Sequence, residues 1–417
     1  MDIVRVHYNQ VMEHSTPLLI LPVYEENDST FFNIINECVP KVKKIFFEED
    51  LTSEQGKSVL VYPRDGVGPQ RILCIGMGEN NLEDPEVFRR FGGYAVKEAK
   101  SLGVSELAIF PGPFKAEITE KSYQAMVEGM VLSAWHFSEM KTKVKEVQEK
   151  PLERVEVLVS EAHNIQAEKG VRTGKIIGEA TNFARTLQSR PGNVATPTHL
   201  GEEASRMANE YGLKVTVMGP AEIRKNDMQA LLAVSQGSNE EPRFVILEHE
   251  GGNQGEPPLV LVGKGLTFDA GGISIKPSLG MEDMIFDMSG GAAVIAALQG
   301  VAALGIPKNV IGLIPCSENL INGKAMKPGD IIGSREGKTI EVINTDAEGR
   351  LILADALSYA QSLNPAAIVD CATLTGAVVV ALGHHAAAVL GNDSDLVQEL
   401  KTAGELSGER CWPLPLW

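Results

Sequence analysis

Over residues 1 to about 160, short apolar runs alternate with stretches whose apolar positions recur at helical spacing. The runs at 17–23, 59–62, 72–75, 107–110 and 155–159 predict strands, and 88–102 and 125–143 predict helices. That alternation predicts an α/β module with a largely parallel sheet. From 162 to 188 the pattern becomes one long helix rich in Ala, Glu, Lys and Ile. Arg190-Pro191-Gly192-Asn193 and Thr196-Pro197-Thr198 break it. Alternation then resumes, with strands expected at 215–217, 244–248, 259–262, 310–314, 340–343 and 367–370 and helices at 199–211, 291–304 and 351–363. The expected organisation is an N-terminal α/β domain at 1–160, a connecting helix at 161–190 and a second α/β domain at 191–417. The second should carry a mixed, mostly parallel central sheet flanked by helices. Acids and glycines gather at its strand ends, where sites form in open α/β sheets.

Composition agrees and narrows the function classes. At about 150 residues per domain, 417 residues suit two domains that each bury a core. With 43% apolar and 22% charged residues the chain is ordinary globular protein, not disordered or fibrous. A net charge of −17 argues against nucleic acid and anionic membranes as partners. The start, MDIVRVHYNQ, has an acid at position 2 and no apolar stretch, so no secretory signal is expected. The least polar windows, 290–307 and 371–383, read as a buried helix and strand rather than membrane spans. The five cysteines form no CxxC pair, so neither a disulfide framework nor a cysteine zinc site is suggested. A cytoplasmic location is the expectation.

Several motifs fall short on inspection. Ile75-Gly76-Met77-Gly78 resembles the start of a dinucleotide loop, but Asn81 stands where the third glycine belongs. His249-Glu250 is followed by Asn253 instead of the second histidine of a zinc-protease helix. Gly56-Lys57-Ser58 and Gly337-Lys338-Thr339 lack the earlier glycine of a phosphate loop, where Leu51 and Ile332 stand. No GxSxG elbow occurs. The adjacent His384-His385 pair suits packing or a strand end better than metal ligation.

What survives is a set of acids and cations at strand ends. Residues 262–277, VGKGLTFDAGGISIKP, run from an apolar strand into a glycine-rich loop carrying Lys264, Asp269 and Lys276. Residues 344–351, NTDAEGRL, carry Asp346, Glu348 and Arg350. In extended backbone this i, i+2, i+4 spacing would turn all three to one side. Asp287 lies between the segments, beside Met281, Met284, Ile285 and Met288. Asp269, Asp287, Asp346 and Glu348 supply −4 without histidine, which suits two hard divalent cations with oxygen ligands. Two cations about 3.5–4 Å apart are the usual means of gripping a hydroxide and polarising the group it attacks. Any single one of these acids is more often a solvated loop residue or a salt-bridge partner of Lys264, Lys276 or Arg350; the density at two strand ends is what favours a cation site.

The two segments resemble the leucyl aminopeptidase (cytosol aminopeptidase) family, and NTDAEGRL is close to its signature. The resemblance continues through 283–293, 309–329 and 367–392, is looser over 178–197 and is weakest before about residue 150. It implies that 191–417 is a metallopeptidase domain releasing N-terminal residues, leucine and other apolar ones preferred, through a hydroxide bridging two metals. Lys264, Asp269, Asp287, Asp346 and Glu348 match the family's metal ligands, with Asp269 and Glu348 bridging. Lys276 and Arg350 match its catalytic pair, the arginine holding a bicarbonate that serves as general base. Met284, Thr373, Leu374 and Gly376 match residues that bind substrate. Manganese or zinc is the implied metal, with magnesium or cobalt as alternatives, and a homo-hexamer the implied assembly, with peptides as substrates. In relatives a segment like Cys411-Trp412-Pro413-Leu414 leads into a further stretch, so the chain is expected to lack the last part of that domain. Two other readings stay open: a weakly active or non-catalytic relative serving as a binding scaffold, and a different two-metal hydrolase.

Overall fold

The computed structural model describes residues 1–7, 11–25, 53–63, 68–79, 81, 83–112, 118–142 and 151–417. Leu51, Cys38 and the end of the helix expected at 125–143 lie outside the described residues. The chain divides into two compact units, Met1–Glu179 together with Gly376–Trp417, and Ala180–Thr375.

The first unit is built on β1 (Asp2–His7), β2 (Leu19–Tyr24), β3 (Ser58–Val61), β4 (Ile72–Gly78), α1 (Pro85–Ser101), β5 (Glu106–Ile109), α2 (Glu120–Ala134), β6 (Arg154–Val159) and α3 (Asn164–Ser189). Residues 164–179 of α3 belong to this unit and 180–189 to the other. The strand order is β1-β6-β5-β2-β4-β3, parallel throughout except for β3 at the edge. Strand residues alternate between faces. Ile20, Leu73 and Ile75 pack with Phe88, Phe91 and Tyr123 of α1 and α2, while Leu19, Leu21, Ile72 and Cys74 form a core on the other face. Burial on both faces explains the unbroken apolar runs. Asp84 caps α1 by accepting from Glu86 N at 2.9 Å, with Pro85 in the first turn. α2 stops at Ala134, because Trp135 is extended, nine residues short of the expected end.

The second unit contains α4 (Pro197–Tyr211), β7 (Lys214–Met218), α5 (Pro220–Lys225), α6 (Gln229–Ser235), β8 (Arg243–Glu250), β9 (Leu259–Gly263), β10 (Gly265–Asp269), α7 (Ser289–Leu304), β11 (Asn309–Asn319), β12 (Ile331–Gly333), β13 (Thr339–Glu341), α8 (Glu348–Gln361) and β14 (Ala367–Cys371). Its sheet runs β14-β9-β11-β8-β7, with β10 also paired to β11. The β14, β9 and β10 pairings are parallel, and the β11–β8 and β8–β7 pairings antiparallel, a mixed sheet as expected. Alternate residues of β8 mark the layers: Phe244 and Ile246 join Leu231, Ile352 and Ala356, while Val245 and Leu247 join Leu200, Ile295 and Leu298. Helices therefore cover both faces. Met281–Leu304 is apolar enough to cross a membrane by length and composition. Yet α7 within it is a core helix.

In the C-terminal segment of the first unit, α9 (Ala377–Leu382), β15 (Ala387–Val389), α10 (Ser394–Ser407) and β16 (Cys411–Pro413) follow. Two expectations are corrected here. The window 371–383, read as buried strand, ends β14 at Cys371 and continues as exposed α9, with Val380 at 90% exposure. Of the two roles expected for His384 and His385, packing is overturned: both lie exposed in the turn that leads into the strand end at β15.

Candidate active site

Backbone bonds place Lys264 first. It sits between β9 and β10, its N–H donating to Cys371 O at 2.9 Å and its carbonyl accepting from Gly291 N at 2.7 Å. The segment expected to be a loop from Gly263 onward is thus strand on both sides of Lys264. The side chain is buried, with Nζ 2.8 Å from Asp287 Oδ2, 2.9 Å from Glu348 Oε1 and 3.0 Å from Thr373 O. Gly349 leaves it room: a Cβ there would meet Lys264 Cε and Nζ at 2.7 Å.

Asp269 ends β10 beside β11, and Asp287 lies in the short 3₁₀ helix Met281–Met288 leading into α7. Thr373 Oγ1 donates to Asp287 Oδ1 at 2.6 Å. Lys276 Nζ approaches Asp269 Oδ2 at 2.7 Å and Asp346 Oδ1 at 2.5 Å. Oxygens of Asp269, Asp346 and Glu348 come within 4.8 Å of one another.

The expected convergence of Asp346, Glu348 and Arg350 through extended backbone is corrected. Asp346 lies in a turn and α8 starts at Glu348, so Glu348 points inward and Arg350 is exposed. Two helical residues apart is about 200° of rotation, which puts them on opposite sides. Met284 is half-buried in the 3₁₀ helix, and Leu374 is exposed with Cδ1 3.2 Å from where a Gly349 Cβ would stand. Gly376 caps α9 and belongs to the first unit. The structure therefore joins Lys264, Asp269, Lys276, Asp287, Asp346, Glu348 and Thr373 in one network.

Electrostatics mark the cluster as strained for charge. Burial pushes Glu348 up to about 7 against the pull of Lys264, with Asp269 and Asp287 adding to the rise. Burial likewise raises Asp287, more than Lys264 and Thr373 lower it. For Lys276, burial opposes the charge, but bonds to Asp269 and Asp346 outweigh it and raise the ammonium. Among the described residues, Glu348 Oε2 is buried with no hydrogen-bond partner. An orphaned carboxylate oxygen among convergent acids fits a hard cation. Sequence reasoning missed Asn319 and Thr345, both buried: Asn319 donates to Asp269 and to Thr345 O in the turn before Asp346, and Thr345 Oγ1 donates to Gly271 O. Thr345 lay within the NTDAEGRL motif; nothing in the pattern singled out Asn319.

The model for the cytosol aminopeptidase family catalytic domain matches residues 182–417, and that for its N-terminal domain matches 20–144. A protein of Nitrosococcus oceani named "Probable cytosol aminopeptidase" is 42% identical over 408 residues, 96% of this chain and 81% of its own length. One of the same name from Geobacter sulfurreducens is 44% identical over 403 residues, covering 96% of this chain and 81% of that protein. Among solved structures, the bottromycin maturation enzyme BotP in complex with Mn superposes with a TM-score of 0.81 at 30% identity. It covers 96% of this chain and 82% of BotP.

Proposed function

The chain belongs to the cytosol aminopeptidase family of hydrolases, and we propose that it removes N-terminal residues, leucine and other apolar ones preferred, from peptides with two bound divalent cations. The observation carrying this reading is the convergence of four buried or half-buried carboxylates around Lys264 and Lys276, one oxygen of Glu348 having no hydrogen-bond partner among the described residues. Asp269, Asp287, Asp346 and Glu348 would hold the cations, with Lys264 as a fifth ligand once its proton is lost. Two such cations would supply a water of lowered pKa, a Lewis acid for the scissile carbonyl and an anchor for the free α-amine.

The remaining work falls to this chain's own groups. Lys276, at the more exposed side of the cluster, is placed to move from Asp269 and Asp346 towards the oxygen that gains negative charge. Exposed Arg350 offers a planar donor fork for a small anion such as bicarbonate, which would take the proton from the attacking water. Met284 and Leu374 would line the first side-chain pocket, and Thr373 and Gly376 would bind the substrate backbone. The manganese of the related BotP structure supports manganese here, with zinc as the other choice. A cytoplasmic homo-hexamer completes the proposal; sedimentation returning only monomer would remove the hexamer from it.

Chelation should abolish cleavage of a leucyl amide, and manganese or zinc should restore it. Undiminished turnover by metal-stripped protein would end the two-cation reading.

A further inference from the structure

We infer that Asn319 is a positioning residue for the cation site, orienting Asp269 and fixing the turn that carries Asp346; this rests on the two-cation reading above. Asn319 ends β11 and is 2% exposed. Its Nδ2 donates to Asp269 Oδ1 at 2.8 Å and to Thr345 O at 3.0 Å. One buried amide thus spans the two segments that supply the acids.

The bond pattern selects which oxygen Asp269 presents. Gly271 N also donates to Asp269 Oδ1, at 2.9 Å, so that oxygen holds two donors. Asp269 Oδ2 is left facing the cluster, 2.7 Å from Lys276 Nζ. The carboxylate cannot rotate without breaking both bonds to Oδ1. Loss of the Asn319 donor would leave a single backbone bond and a carboxylate free to swing.

Thr345 closes the other side. Fully buried, it donates from Oγ1 to Gly271 O at 2.7 Å and accepts there from Ser274 N at 2.8 Å. Its own N–H donates to Ser274 Oγ at 3.2 Å. Asn319 therefore anchors a turn already stitched to the Asp269 loop. Room for this depends on Gly272, at φ +65°, where a Cβ would meet Asn319 Oδ1 at 2.8 Å and Thr345 Oγ1 at 2.9 Å. Partners of metal ligands act this way generally, and losing one typically weakens metal binding or activity by about 10- to 100-fold.

A merely structural asparagine on the same strand supplies the control. Asn309, at the other end of β11, donates from Nδ2 to Asn253 O at 3.1 Å and Glu256 O at 3.0 Å. It pins a surface loop with the same chemistry and touches no acid of the cluster.

The test compares Asn319→Ala, Asn319→Asp and Asn309→Ala in the full chain, by titration calorimetry with Mn²⁺ and by leucyl amide turnover. Both Asn319 variants should bind Mn²⁺ about 10- to 100-fold more weakly. Their turnover should recover as Mn²⁺ is raised. Asn309→Ala should keep wild-type Mn²⁺ affinity while melting at a lower temperature. Asn319→Asp keeps the shape but sets a carboxylate oxygen against Asp269 Oδ1 in place of the amide donor, so it repels where Asn319 holds and reads the loss where the alanine variant does not fold. A folded Asn319 variant with wild-type Mn²⁺ affinity would overturn the role of Asn319 alone. Wild-type protein with neither Mn²⁺ binding nor turnover would overturn the two-cation reading beneath it.

Discussion

At the scale of single residues, Glu348 meets opposing demands. The start of α8 favours its negative charge through the helix dipole, and Lys264 does so directly. Burial works the other way and prevails, lifting the carboxyl to about 7, with Asp269 and Asp287 adding to it. An acid whose folded pKa lies above its unfolded value of about 4.3 favours the folded state fully only below that value. The contribution is lost as pH rises through about 7. Cations that offset the charge should therefore stabilise the protein more at higher pH. The rise in Tm on adding Mn²⁺ should be larger near about pH 8 than near about pH 5.5, read by differential scanning calorimetry. An equal or smaller rise at the higher pH would defeat this account. The acids themselves were legible from residue type and spacing. The way they converge was not, since the i, i+2 reading assumed extended backbone where a helix begins.

At the scale of elements, α1 and α2 meet at backbone distance. A Cβ on Gly129 would stand 1.9 Å from Arg89 O, and one on Gly92 would stand 2.0 Å from Met126 O. Glycine inside a helix normally costs about 1 kcal/mol relative to alanine, so propensity alone predicts that Gly129→Ala stabilises. Sterics decide against it, because the atom in the way is backbone and cannot swing aside. Gly129→Ala should destabilise by about 1–3 kcal/mol, the usual range for overpacking, measured by urea unfolding. A stabilised variant would mean that the helices separate without loss. Composition shows such glycines but not their close approach, so this contact was illegible in the sequence. The length of β11 was hidden differently. The expected strand stops at Ile314, yet it continues through Pro315 and Cys316 to Asn319. Those last residues pair with β10, whose own Gly265-Leu266-Thr267-Phe268-Asp269 read as loop. Glycine, threonine and an acid weaken the period-two signal where the chain must place chemistry at a strand end. The long periodic helices and the apolar strands, by contrast, were readable because burial repeats along them.

At the scale of the molecule, the segment Gly376–Trp417 forms a compact unit with residues 1–179, and a buried arginine accounts for part of that. Arg89 on α1 contacts Glu86 at 2.6 Å and Glu128 of α2 at 2.9 Å, and its Nη2 donates to Leu406 O in α10 at 3.1 Å. Both Arg89 and Glu128 are largely removed from water, at 12% and 7% side-chain exposure. Burial opposes the guanidinium charge, but the bonds to Glu128 and Glu86 outweigh it. Breaking a buried pair by removing one partner generally costs about 3–5 kcal/mol, because the other charge stays buried alone. Arg89→Met keeps the apolar stem and removes the charge. It should destabilise the first unit by about that amount and also free the end of α10. Hydrogen exchange separates this from a local loss on α1. Amides at the end of Ser394–Ser407 should exchange faster in the variant, while those of α7 in the second unit keep their rates. Unchanged exchange in α10 would show that the C-terminal segment is held by its apolar contacts and not by Arg89.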